Sequence, residues 1–231
     1  MARTRGAGGP SPPRRRDVDS FDRRAGSYDS DWRSAFHSAV VAGGAEVALE
    51  AVPAPNAVLD IGCGTGALLR TLATRLRSQA TLIGIDPAPT MIEVARIEVG
   101  QATSAAVRAE AAARPRLSLA LATAERLPFA DRSFDLVVTT VSFDHWADQP
   151  AGLAEVRRVL RPEGRLVLVD LFATGCLLPI AAIGRRRDRM RTIRETGSML
   201  ATAWLSPLAW RPVYDLGPVT LVHAVIASPT T

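Results

Sequence analysis

The chemistry of this chain is concentrated in Val58-Leu59-Asp60-Ile61-Gly62-Cys63-Gly64-Thr65-Gly66, an apolar run that meets a glycine loop with an acid just before the junction. A second acid, Asp86, closes the next apolar run, Thr81-Leu82-Ile83-Gly84-Ile85. Glycines let backbone approach a ligand closely, and a carboxylate at a strand tip can accept hydrogen bonds from ribose hydroxyls. The pair is a nucleoside-binding layout. Gly62, Gly64 and Ala67 also satisfy the G-x-G-x-x-G/A fingerprint of dinucleotide sites. Asp60 stands where a nicotinamide fingerprint needs no acid, and the recurrence at 62, 64 and 66 is the G-x-G-x-G form. His145, in Ser142-Phe143-Asp144-His145-Trp146-Ala147-Asp148, is the candidate catalytic base, because an imidazole titrates near neutral pH. His37 and His223 are weaker candidates, the latter set in a strand pattern. Two cysteines, Cys63 and Cys176, form neither a disulfide framework nor a metal-ligand cluster, so no metal site is expected and a reducing, cytoplasmic setting fits.

Those residues need a sheet to bring them together. Apolar runs predict strands at 57–61, 81–85, 117–122, 134–140 and 165–171, separated by helical patterns at about 66–76, from Pro87 onward, and at 153–160. Strands alternating with helices imply right-handed crossovers and a parallel, doubly wound sheet. Ligands bind such sheets outside the carboxyl ends of the strands, here between the first and fourth, so the glycine loop, Asp86 and the ends of strands three and four converge. Residues 21–52 predict one or two helices that lid this site. The alanine-rich stretch 91–114, with Gly100 inside it, is long for one helix. Beyond Phe172 the pattern predicts a basic helical segment at 185–194, an apolar helix at about 199–205, and a closing hairpin from 213 to 227. Trp146, Trp204, Trp210 and Phe172 are candidates to line an apolar pocket.

The chain of 231 residues fits one α/β domain with a sizeable core. Its formal charge of +5 equals the five arginines among residues 1–16, so basicity belongs to that tail. The tail is rich in Gly, Pro and Arg, lacks apolar periodicity and reads as disordered; residues 17–231 read as a single domain. It also lacks the apolar centre of a secretory signal. Asp170, Gly175 and Pro179 interrupt the apolar stretch 166–184, so no membrane span is expected.

Three further segments follow in order: Glu125-Arg126-Leu127-Pro128-Phe129, Ser133-Phe134-Asp135-Leu136-Val137-Val138 and Arg158-Val159-Leu160-Arg161-Pro162-Glu163-Gly164. With the glycine loop they resemble the class I S-adenosylmethionine-dependent methyltransferases, in particular the small-molecule branch of ubiquinone and menaquinone biosynthesis. The resemblance implies a Rossmann-like seven-stranded sheet, mostly parallel with an antiparallel last strand, and S-adenosyl-L-methionine as cofactor with S-adenosyl-L-homocysteine as product. It implies a cofactor site built from Tyr28 in the lid, Asp60, Gly62, Cys63, Gly64 and Gly66 in the loop, Asp86, Pro87 and Met91 after strand two, Thr123, Ala124 and Glu125 after strand three, and Thr140 after strand four. Asp86 would take the ribose hydroxyls. Thr123 stands where the family often carries an Asp for the adenine amino group, which leaves the Ala124 amide to meet the ring edge. The implied partner is a small, apolar or aromatic methyl acceptor, not nucleic acid. Rival readings are a nucleic-acid or protein methyltransferase, supported by the basic tail and arginine segment, and a non-catalytic protein that keeps the fold. The residues leave the oligomeric state open.

Overall fold

The computed structural model describes residues 18–19, 23, 34–76, 79–107, 115–174 and 190–230. The tail 1–16, Tyr28 with most of the first part of the expected lid, Cys176, and residues 108–114 and 175–189, which include most of the basic segment, lie outside the described residues.

Helix α1 (Ser34–Ala51) leads to β1 (Ala57–Ile61), α2 (Ala67–Arg75), β2 (Thr81–Asp86), α3 (Pro89–Val107), β3 (Arg116–Leu121) and β4 (Phe134–Thr140). Then follow a 3-10 turn (Phe143–His145), α4 (Gln149–Val159), β5 (Leu160–Leu171), α5 (Ile193–Thr202), β6 (Leu205–Leu216) and β7 (Val219–Pro229). The seven strands form one sheet in the order β3-β2-β1-β4-β5-β7-β6. β3, β2, β1, β4 and β5 are parallel, whereas β7 runs antiparallel to both β5 and β6.

Helices cover both faces, which is why the central strands are apolar throughout instead of alternating with polar residues. Successive residues enter opposite cores: Val58, Leu136, Val138, Val167 and Val169 pack with Val40, Ala48, Leu69 and Leu72 of α1 and α2. Leu59, Val137, Leu166 and Leu168 pack with Leu153, Val156 and Leu200 of α4 and α5. The first covering helix, α1, is thus a core element as well as a neighbour of the site.

The C-terminal third differs from expectation in its boundaries. The apolar stretch 199–205 is divided: α5 starts at a capping box, in which Thr192 Oγ1 accepts from the Glu195 amide and Glu195 accepts from the Thr192 amide, and stops at Thr202. Trp204, exposed and in left-handed geometry at φ 59°, then turns the chain into β6. β5 starts at Leu160 because Leu160 pairs with Phe134 before the register shifts to Leu136 and Arg165. α3 is one helix through Gly100. The edge strand β6 carries Pro207 and Pro212 and breaks register near both. Among the described residues no helix is long and apolar enough to cross a membrane; the first half of the apolar stretch near 166 is strand β5.

Candidate cofactor site

β1 ends against the tip of β2. The amides of Gly62 and Cys63 both donate to the Ile85 carbonyl, at 2.8 and 2.9 Å, and the Gly66 amide donates to the Cys63 carbonyl at 2.8 Å. Gly62, Gly64 and Gly66 have φ of 73°, 53° and 79°, a region costly for residues with a Cβ. The three glycines serve different ends. A Cβ on Gly62 would collide with Ser142, whose hydroxyl donates to the Ile61 carbonyl at 3.0 Å, so this glycine admits another part of the chain. A Cβ on Gly64 would have no described atom within 4 Å; here the open space is the cleft. Gly66 has a packing role. It is absent from the cleft wall, and its Cβ position faces Val99 at 3.3 Å and Ala95 at 3.5 Å, so it forms the left-handed start of α2 and allows α3 to pack closely.

The two acids behave differently. Asp86 is spent on backbone: its Oδ2 accepts from the Gly64 amide at 2.9 Å and its Oδ1 from the Ala88 amide at 2.8 Å, which holds the loop and the start of α3 around one carboxylate. Asp60 is 1% exposed, and neither of its oxygens has a hydrogen-bond partner among the described residues. Burial, and secondarily the charge of Asp86, push its carboxyl up to about 8. A buried carboxyl without partners is expensive unless something satisfies it. The Cys63 thiol is likewise pushed well up by burial and by the two acids, so it is an inert wall residue.

Opposite the glycine loop, the chain after β3 makes a tight turn in which the Arg126 amide donates to the Thr123 carbonyl at 3.2 Å. Glu125 Oε1 accepts from the Asp148 amide at 3.1 Å, tying this turn to the start of α4. After β4, Val141 adopts φ 51°, a strained conformation for a β-branched residue, and strain of this kind gathers at functional sites. The bend leads into the 3-10 turn that carries His145. Asp170, at the end of β5, accepts from the Phe143 amide at 2.9 Å and supports this turn from below. Burial and neighbouring Asp144 push the Asp170 carboxyl well up. His145 Nε2 lies 3.2 Å from Asp144 Oδ1.

One cleft of about 900 Å³, open to solvent, brings these parts together. Asp60, Gly62, Cys63, Gly64, Asp86, Pro87, Met91, Thr123, Ala124, Glu125, Thr140 and His145 line it, as the sequence reading anticipates. The Thr140 hydroxyl is buried and lacks a hydrogen-bond partner among the described residues. His37, a weaker candidate in the sequence reading, also lines the cleft, while that reading does not assign Val41, four residues on along α1, or Val141 and Ser142 at the bend to the site; helical spacing in the lid and the position after β4 were the available signals. Of the four pocket aromatics, only Trp146 lines the cleft. Trp210 stacks edge-on against buried Phe172, at 5.2 Å between centroids, while Trp204 faces solvent.

A glycine loop at the switch point, an acid at the tip of β2 and a sheet closed by an antiparallel β7 resemble the class I S-adenosylmethionine-dependent methyltransferases. Residues 59–168, a little under half of the chain, match the family described as methyltransferase domain. A ubiquinone/menaquinone biosynthesis C-methyltransferase of Citrifermentans bemidjiense is 32% identical over 120 residues, which are 52% of this chain and 47% of that protein. The chain spans about half the length of this curated relative. In fold, it is similar to an S-adenosylmethionine-dependent methyltransferase of Aquifex aeolicus, with TM-score 0.67 at 17% identity over 89% of this chain and 97% of the other. It is also similar to the 1,6-didemethyltoxoflavin-N1-methyltransferase of Burkholderia thailandensis, whose structure holds its substrate and S-adenosylhomocysteine, with TM-score 0.66 at 17% identity over 98% and 94%. The cofactor that this likeness implies, S-adenosylmethionine, suits the residues present: a buried carboxyl at Asp60 without a hydrogen-bond partner among the described residues, and an open Cβ position at Gly64.

Proposed function

We propose that this domain transfers the methyl group of S-adenosylmethionine to a small, apolar or aromatic metabolite by in-line displacement. The observation that carries the reading is Asp60, a fully buried carboxyl with two unpartnered oxygens on the wall of a cleft that also holds a glycine cradle. A cationic ligand is what such a group lacks, and the cofactor's amino group supplies one. Asp86 then serves the ribose, and Thr123, Ala124 and Glu125 form the wall for the base.

When bound, the sulfonium supplies an activated methyl group and its own leaving group. The chain's task is therefore to hold the acceptor in line and keep water out, which can contribute several kcal/mol to lowering the barrier. Val41, Val141 and Trp146 give the cleft apolar walls suited to a flat or greasy acceptor. For a hydroxyl or an acidic carbon, His145 is the group to take the proton, with Asp144 at 3.2 Å stabilising the imidazolium that results.

Calorimetric titration with S-adenosylmethionine, S-adenosylhomocysteine and NADH tests the cofactor half of this reading. Micromolar binding of the first two alone is expected, and Asp86→Ala should weaken both at least about tenfold. Binding of NADH instead, or unchanged affinity in Asp86→Ala, would refute it. Incubation with panels of phenols, quinones and heterocycles, followed by mass spectrometry for one added methyl group, then tests the acceptor class.

A further inference from the structure

The wall assigned to the cofactor's base is a short turn, yet it is held by a side chain that touches no part of the cleft. Arg158 lies on α4 and uses every N–H of its guanidinium. Its Nε donates to Glu155 Oε1 at 2.7 Å, and Nη2 donates to Glu155 Oε2 at 2.7 Å and to the Leu127 carbonyl at 3.0 Å. Nη1 donates to the Phe129 carbonyl at 2.7 Å and to Asp131 Oδ1 at 2.9 Å. Glu155 completes the set by accepting from the Leu127 amide at 2.8 Å, so both polar groups of the Leu127 backbone end on this one ion pair. The Arg158 contacts to Glu155 and Asp131 lie at a half-exposed surface, where an ion pair alone stabilises little. What the pair does is geometric. The Leu127–Asp131 segment follows on the turn 123–126; Ala124 and Leu127 pack in one core with Leu153 and Val156 of α4, and these directional bonds, with the Glu125 contact to Asp148, fix the height of the turn against the cleft.

We infer that Glu155 and Arg158 are positioning residues for recognition of the base, acting through the Leu127 backbone to set the Ala124–Glu125 edge against the ring. This rests on the reading that the turn 123–126 is the base wall. A lysine cannot replace the arginine here, since three donors on a point charge cannot span two carbonyls and two carboxylates in a plane. The consequence is a selectivity effect, distinct from loss of fold.

The test compares S-adenosylhomocysteine with its inosine analogue, in which the amino group on the ring is replaced by an oxo group, by calorimetry on wild type, Arg158→Lys and Glu155→Gln. Thr192→Ala, remote from the cleft, serves as a variant of lowered stability with an intact wall. The wild type should favour the amino ligand, and both clamp variants should reduce that preference at least about fivefold, while Thr192→Ala keeps it. Preference retained in both clamp variants would overturn the inference and leave the base wall standing. A wild type that binds both ligands equally would instead remove the base-wall reading, and the inference with it. The second variant guards against a failure of Arg158→Lys to fold.

Discussion

The unpartnered Asp60 makes cofactor affinity depend on pH in a way that can be worked out beforehand. With its carboxyl pushed up to about 8, Asp60 is protonated in about 90% of molecules at pH 7. A cation arriving beside it favours the ionised form, so binding expels that proton, and affinity scales with the fraction already ionised. On that basis, with an α-amino group that loses its own proton at about 8, the dissociation constant should fall roughly 25-fold between pH 6 and pH 8 and rise again at higher pH. Titrating S-adenosylhomocysteine at pH 7 in buffers of different ionisation heat should show release of about 0.9 proton. Asp60→Asn leaves the other groups of the cleft in place, so the difference between the two proteins isolates the carboxyl. The sign for stability is opposite. A folded-state pKa above the unfolded value means that the contribution of Asp60 is present below about 4 and is lost as pH rises through about 8. Without ligand, Asp60→Asn should therefore gain on wild type by about 1.4 kcal/mol per pH unit over that window. A dissociation constant flat within twofold from pH 6 to 8, with no proton released, would refute the reasoning.

Three further outcomes are expected. Gly62→Ala should lose about 2 kcal/mol or more in urea denaturation, because both the positive φ and the Ser142 side chain oppose a methyl group there. Gly64→Ala should show the reverse balance: a smaller loss of stability, about 1–2 kcal/mol from the backbone alone, with a clear loss of S-adenosylhomocysteine affinity, since only the cleft lies in front of its Cβ. Thr192→Ala should lose about 1 kcal/mol by removing the capping box, with cofactor affinity unchanged. Hydrogen bonds from Thr192 hold the Glu195 carboxyl below its usual range, so this cap stabilises above that range and fades as the pH falls through the folded value, closing the gap between variant and wild type in acid.

What could be read from the residues follows the distance over which each feature is determined. The glycine loop and Asp86 were legible because a strand that breaks at glycines and a strand that ends in an acid are local patterns. The sheet was legible because strands covered on both faces are apolar along their whole length. The reason for Gly62 was not, since the side chain that requires it, Ser142, is far along the chain and meets it only across neighbouring β1 and β4. Arg158 was quoted only within a family-like segment, and its role was hidden for a similar reason: among its targets are backbone carbonyls of a loop, and carbonyls leave no mark in a sequence. The boundary between α5 and β6 depended on one left-handed residue, Trp204, in a stretch whose composition suits a helix as well as a strand. The packing role of Gly66 was hidden because a fingerprint gives spacing and not the direction in which each missing Cβ would point.

The order of the strands also dictates an order of events. β7 lies between β5 and β6, so β5 stays unpaired on one side, and β6 has no neighbour at all, until residues 219–229 are available. β5 carries Asp170, which supports the turn that bears His145, so a segment synthesised after every residue of the cleft completes the scaffold beneath it. Pairings that join distant parts of the chain form slowly, and a half-built sheet exposes strand edges meanwhile. A nascent chain halted before Val219 would therefore hold its glycine loop, Asp86 and the base wall, all encoded earlier, while its β5 edge remained open to any passing strand. The prolines of β6 bear on the same hazard from the other side: once β7 has entered, the outermost strand is one poorly suited to templating another molecule.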